Sequence, residues 1–110
     1  MFHRLCHILL LSLLVHGVHA QPFYFGADLS YVNEMEQCGA VYYENGNPIN
    51  LYGLFVEKGA NLVRFRLWHT PSWYDQLNDG EQYSDFEDVR KSIIRAKTLG
   101  FQVLLDYHLS

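Results

Sequence analysis

A short apolar run, Ile8 to Val15, opens the chain, with Arg4 ahead of it and Val18-His19-Ala20 behind it. A run of that length is too short to cross a bilayer, and a small residue before Gln21 predicts a secretory signal over 1–20. Cys6 precedes the run, so no cysteine stands close behind it to carry a lipid anchor. From Gln21 onward the pattern alternates between strand and helix signals. Phe23 to Asp28 predicts a strand ending on the small-small-acid step Gly26-Ala27-Asp28, and Leu29 to Gly46, rich in Asn, Glu and Gly without a sustained period, predicts a loop. Asn47 followed by Pro48 predicts a helix start, with an N-cap and a first-position proline. Leu51, Leu54, Phe55 and Lys58 follow at helical spacing, and Gly59 closes the helix.

Asn61 to Trp68 predicts a second strand, and His69 to Tyr83 a polar loop. Ser84-Asp85-Phe86-Glu87 reads as a capping box. In the helix it opens, Phe86, Val89, Ile93, Ala96 and Leu99 form one apolar face, with acids leading and bases closing in keeping with the macrodipole. Gly100 ends that helix, and Phe101 to His108 is a near-continuous apolar strand of the kind buried on both faces of a parallel sheet. The order is β-α-β-α-β. It repeats a unit of helix, basic residue, Gly and apolar strand at Lys58-Gly59 and again at Lys97 to Gly100.

Such a repeat fits an α/β fold, either a (β/α)8 TIM barrel or an open doubly wound sheet. Neither a G-x-G-x-x-G turn nor a Walker loop follows any strand, which argues against dinucleotide binding. A barrel takes about 250 residues, whereas the chain has 110. Residues 21–110 therefore read as the N-terminal, incomplete part of a (β/α)8 catalytic domain, holding only its opening β-α-β-α-β portion. Three strands and two helices leave faces and edges uncovered, so this portion is not expected to fold alone.

The formal net charge is −4, and removal of the signal takes Arg4 away and makes the remainder more acidic. No basic footprint for nucleic acid or anionic membrane is present. Cys38 is the one cysteine after residue 20, which excludes an intramolecular disulfide and a cysteine-based zinc cluster. Aromatic residues make up 15% of the chain. The Phe residues suit a core, whereas Tyr42-Tyr43 and Trp73-Tyr74 sit in loop-like stretches, where flat faces with polar edges suit stacking on sugar rings.

In a (β/α)8 barrel the C-terminal strand ends build the site. Those ends supply Asp28, then Arg64, Arg66 and Trp68, then Asp106, Tyr107 and His108. Charges inside apolar strands need partners. Arg64 and Arg66 share parity and face one side of their strand, where a guanidinium is either an ion-pair partner for Asp28 or Asp106 or a clamp on a catalytic carboxylate. Asp106 and His108 also share a face. Two ligands at that spacing are a weak metal signal, so His108 reads as a hydrogen-bonding site histidine, with no metal or cofactor expected. His69 reads as a loop residue, and Glu34 and Glu36 read as solvated loop acids. A Gly-x-Ser-x-Gly nucleophile elbow does not occur.

Gly26-Ala27-Asp28-Leu29-Ser30, then Asn61 to Trp68 with Pro71, then Leu105-Asp106-Tyr107-His108-Leu109-Ser110 resemble the glycoside hydrolase family 53 endo-β-1,4-galactanases, in order across essentially all of 21–110. The resemblance implies a (β/α)8 barrel that hydrolyses β-1,4-galactan, the side chains of type I arabinogalactan and pectin, with retention. It implies two glutamates, a general acid/base at the end of the fourth strand and a nucleophile at the end of the seventh. Retention places their carboxyls about 5 Å apart. Neither strand lies in these residues, so the catalytic pair is expected beyond residue 110.

What carries over is support for that pair. Arg64 matches the arginine that sits beside the nucleophile and favours its ionised form. His108 matches a histidine that hydrogen-bonds near the sugar at the cleavage point. Asp28 matches an acid that orients Arg64 or His108, and Asp106 matches a structural position. Trp68 offers a wall to the sugar or a packing surface, and Trp73 a further substrate-binding surface. The expected partner is polysaccharide, with no nucleic acid or membrane, for a monomer when intact that is secreted or periplasmic. The competing readings are a non-catalytic carbohydrate-binding fragment and a related barrel glycosidase acting on mannan or cellulose.

Overall fold

The computed structural model describes residues 21–69 and 80–109. Its elements are β1 (Gly26–Asp28), α1 (Val32–Gln37), β2 (Tyr42–Glu44), β3 (Asn47–Ile49), α2 (Leu51–Glu57), β4 (Leu62–His69), α3 (Phe86–Thr98) and β5 (Gln102–Leu109). β1, β4 and β5 form one parallel sheet with β4 in the middle. Its register sets Asp28 beside Arg64, Arg66 beside Asp106, and Trp68 beside His108. Alternation along each strand therefore gathers Asp28, Arg64, Arg66, Trp68, Asp106 and His108 on one face.

The opposite face is the core. Val63 and Phe65 of β4 are fully buried against Tyr52 of α2, Val89 and Ala96 of α3, and Phe101. The Tyr52 and Phe65 rings lie 6.3 Å apart. Each such large side chain contributes about 1.5–3 kcal/mol on burial. Parallel strands need crossovers, and the two helices that cover this face provide them. Gly59 and Gly100 take φ of +87° and +86° to close α2 and α3, so the two predicted helix-to-strand steps share one geometry.

The helix predicted from Asn47 starts later. Asn47 and Pro48 belong to β3, which pairs antiparallel with β2 across Asn45-Gly46. Those two residues have φ of 50° and 81°, the left-handed pair that a two-residue hairpin turn requires. The N-cap of α2 is Asn50, whose side chain accepts from Gly53 N at 3.1 Å. The capping box of α3 is likewise shifted by one residue. Asp85 caps, accepting from Asp88 N at 2.8 Å, and the Asp88 carboxylate reaches back to Ser84 N at 2.7 Å. Ser84 is buried in a left-handed conformation, and its carbonyl accepts from Trp68 N, fastening the start of α3 to the end of β4.

The segment expected to be a loop from Leu29 to Gly46 holds α1 as well as the hairpin strand β2. Glu34 sits in the first turn of α1. Glu36 is no solvated loop acid: it pairs in bidentate fashion with Arg95 of α3 at 2.7 and 2.9 Å, and the Arg95 guanidinium lies 4.2 Å from the Tyr52 ring centre. Asn33 completes the α1–α3 contact by donating to Asp88 and Ser92. Asp88 and Ser92 are buried in that polar contact, while Phe86, at one end of the expected apolar face, is largely exposed. The apolar strand β5 is open on both faces among the described residues, with Leu104, Leu105 and Tyr107 about half exposed. No helix among the described residues is long and apolar enough to cross a membrane.

Candidate active site

Asp28 is the last residue of β1, and the stagger of the sheet sets it level with Arg64, the third residue of β4. Arg64 Nη1 donates to Asp28 Oδ2, and Nη2 donates to Asp106 Oδ2 on the far strand. One guanidinium thus bridges the carboxylates of both neighbouring strands. His108 Nε2 lies 2.8 Å from the same Asp106 Oδ2, and its ring lies 4.6 Å from that of Trp68.

Ser30 supports the other end. Its amide and hydroxyl both donate to Asp28 Oδ1, and its hydroxyl oxygen accepts from Arg66 N at 2.9 Å. Asp-Leu-Ser at a strand end is an Asx-turn pattern, so this link has a local signal in the sequence. Arg66 turns away from both carboxylates: Nη1 donates to the Tyr31 hydroxyl at 3.0 Å, and the guanidinium lies over the Tyr31 ring.

Burial pushes the Asp28 carboxyl up, but the Ser30 hydrogen bonds and the Arg64 charge outweigh it and hold it below the usual carboxylate value. The His108 hydrogen bond is the largest effect on Asp106, and with the Arg64 charge it overcomes burial and lowers that carboxyl too. Burial opposes the Arg64 charge, yet the two carboxylates raise its pKa above the ordinary value. With a neutral His108, the cluster carries two negative charges around one positive charge.

Of the residues expected to act together, Asp28, Arg64, Trp68 and His108 lie on one face of the sheet, and Asp28 contacts Arg64 rather than His108. Asp106, expected to be merely structural, is the hub between Arg64 and His108. Tyr107 points to the opposite face, with its ring 6.3 Å from that of His69. Tyr42 packs against the core, and Tyr43 is exposed on the hairpin. Pro71, Trp73, Tyr74 and Ser110 lie outside the described residues. Among the described residues no group of three or more His, Cys, Asp or Glu side chains is placed to hold a metal ion.

Parallel strands joined by covering helices, with charged groups gathered on the other face, make this the opening β-α-β-α-β of a (β/α)8 barrel. Residues 24–110 match the model of glycosyl hydrolase family 53, and the chain belongs to that family. It is 53% identical over 89 residues to the arabinogalactan endo-beta-1,4-galactanase of Cellvibrio japonicus (strain Ueda107), covering 81% of this chain and 22% of that one. To the endo-beta-1,4-galactanase of Bacillus subtilis (strain 168) it is 36% identical over 100 residues, covering 87% of this chain and 22% of the relative. Among solved structures, the Ignisphaera aggregans GH53 catalytic domain superposes with a TM-score of 0.67 at 33% identity, covering 84% of this chain and 27% of that one. A fungal beta-1,4-galactanase superposes with a TM-score of 0.66 at 31% identity, covering 80% and 24%. The chain thus spans about a quarter of the length of the relatives it matches.

Proposed function

We propose that residues 21–110 form the N-terminal part of the catalytic barrel of a secreted endo-β-1,4-galactanase, with residues 1–20 removed on export. The enzyme acts as a monomer on β-1,4-galactan and retains the anomeric configuration. The observation that carries this reading is the Asp28–Arg64–Asp106–His108 cluster on the inward face, in a chain 53% identical over 89 residues to the Cellvibrio japonicus galactanase.

Two glutamates from later strand ends do the bond-breaking. One protonates the glycosidic oxygen while the other attacks the anomeric carbon, and water then releases the glycosyl-enzyme with the first residue acting as base. This chemistry needs no cofactor. Arg64 presents its charge beside the nucleophile and favours its ionised form, and Asp28 and Asp106 set its direction before substrate arrives. His108 hydrogen-bonds the sugar at the cleavage point, and Trp68 and Trp73 offer aromatic surfaces to it.

The test is a chimera in which residues 1–110 of this chain replace the leader and the matching segment of the Cellvibrio japonicus galactanase. The exported product is expected to begin at Gln21 and to release oligosaccharides from galactan with retained configuration. A folded chimera that leaves galactan uncut, or that cuts mannan or cellulose instead, overturns the substrate assignment. An exported product still carrying residues 1–20 overturns the signal.

A further inference from the structure

We propose that Asp106 is a positioning residue that locks the His108 ring and the Arg64 guanidinium to one another through a single shared oxygen. Charge counting is the first reason. Asp28, itself fixed by two hydrogen bonds from Ser30, already pairs with Arg64, so the second carboxylate is surplus to neutralising that arginine. Asp106 directs its Oδ2 at Arg64 Nη2 and at His108 Nε2 together, the latter at 2.8 Å.

Chemistry supplies the second reason. An ionised carboxylate only accepts hydrogen bonds, so Nε2 carries the proton, and in a neutral ring Nδ1 would then be the acceptor. The His108 hydrogen bond itself, and with it the Arg64 charge, keeps Asp106 in that accepting form. Contact with Trp68 at 4.6 Å limits the plane of the ring, while the Asp106 bond sets its rotation within that plane. Two inward-facing groups from adjacent strands are thereby held in fixed relative orientation.

The proposal rests on the galactanase reading for its kinetic arm alone, because the ring proton is observed without substrate. In the full-length enzyme, NMR is expected to show a His108 ring proton on Nε2, protected from exchange with water, and assigned by its loss in His108→Gln. Asp106→Ala removes that protection and lowers kcat on galactan by about 10²-fold with KM little changed, the size expected when a fixed group loses its orientation. Asp106→Asn keeps an accepting oxygen at the same place, so it restores the protected proton and much of kcat. A proton on Nδ1 in the wild type overturns the lock, as does an alanine variant that keeps both the protection and kcat. If the alanine variant does not fold, the position of the proton in the wild type and in Asp106→Asn decides. A protected Nε2 proton in an enzyme inactive on galactan upholds the lock and overturns the substrate.

Discussion

Arg64 joins three strands with one side chain, because its two outer nitrogens donate in opposite directions, to β1 and to β5. Lysine carries the same charge as a single compact donor group and cannot present that fork. Arg64→Lys is therefore expected to lower kcat on galactan by about 10²-fold in the full-length enzyme, close to Arg64→Ala, while both variants keep the fold. Near wild-type turnover by either variant overturns the role of the guanidinium. Removing the charge also has an acid signature. Asp28 and Asp106 both titrate below 3.8 in the folded chain, so the stability they contribute is fully present above that value and is lost as pH falls through their lower folded values. Arg64→Ala takes a lowering influence from each and draws the folded values toward the unfolded one, so the fall of the thermal midpoint on acidification is expected to be smaller than in the wild type. Superimposable profiles overturn that coupling.

At the scale of elements, the join between α1 and α3 is polar. Glu36 and Arg95 meet in a two-pronged pair about a third exposed, stacked over the buried Tyr52. Glu36→Ala leaves the guanidinium on the ring without its acceptor, and is expected to cost about 1–2 kcal/mol in denaturant unfolding of the full-length protein, since partial exposure softens the loss. A change within a few tenths of a kcal/mol overturns this estimate. The same join explains what the sequence left hidden. Six residues of α1 are too few to show a helical period, and its partner lies in α3, so Glu36 looked like a loop acid. The long elements were legible because their signals are local: acids leading and bases closing α3, glycines at 59 and 100, and apolar runs at β4 and β5. Asn45-Gly46 is a strong hairpin signal, but the neighbouring Asn47-Pro48 resembles a helix start, and only pairing across the turn decides between them. The site was legible as residue types on one sheet face. Which carboxylate serves which cation was not, because it depends on the stagger that sets Asp28 beside Arg64 and not beside Arg66.

At the scale of the whole molecule, helices cover one face of the sheet at β4, whereas the other face, and β5 on both, lie open among the described residues. Among the described residues β1 and β5 each pair on one side only. Phe23 is 83% and Leu109 78% exposed, and Leu104, Leu105 and Tyr107 are each about half exposed. Unpaired strand edges and exposed apolar side chains of this kind are stable only when something covers them, and otherwise drive edge-to-edge association. The Asp28–Arg64–Asp106–His108 cluster lies on that open face, so water competes for its ion pairs until the face is closed. In a complete barrel the remaining strands would shut out that water and strengthen the same pairs. Residues 21–110 made alone are therefore expected to aggregate or to bind hydrophobic dye, without a sharp thermal transition, while the same residues within the full-length enzyme unfold cooperatively. Calorimetry of both proteins at equal concentration reads the difference. A sharp, reversible transition in the isolated segment would overturn the dependence of this βαβαβ unit on the rest of the barrel.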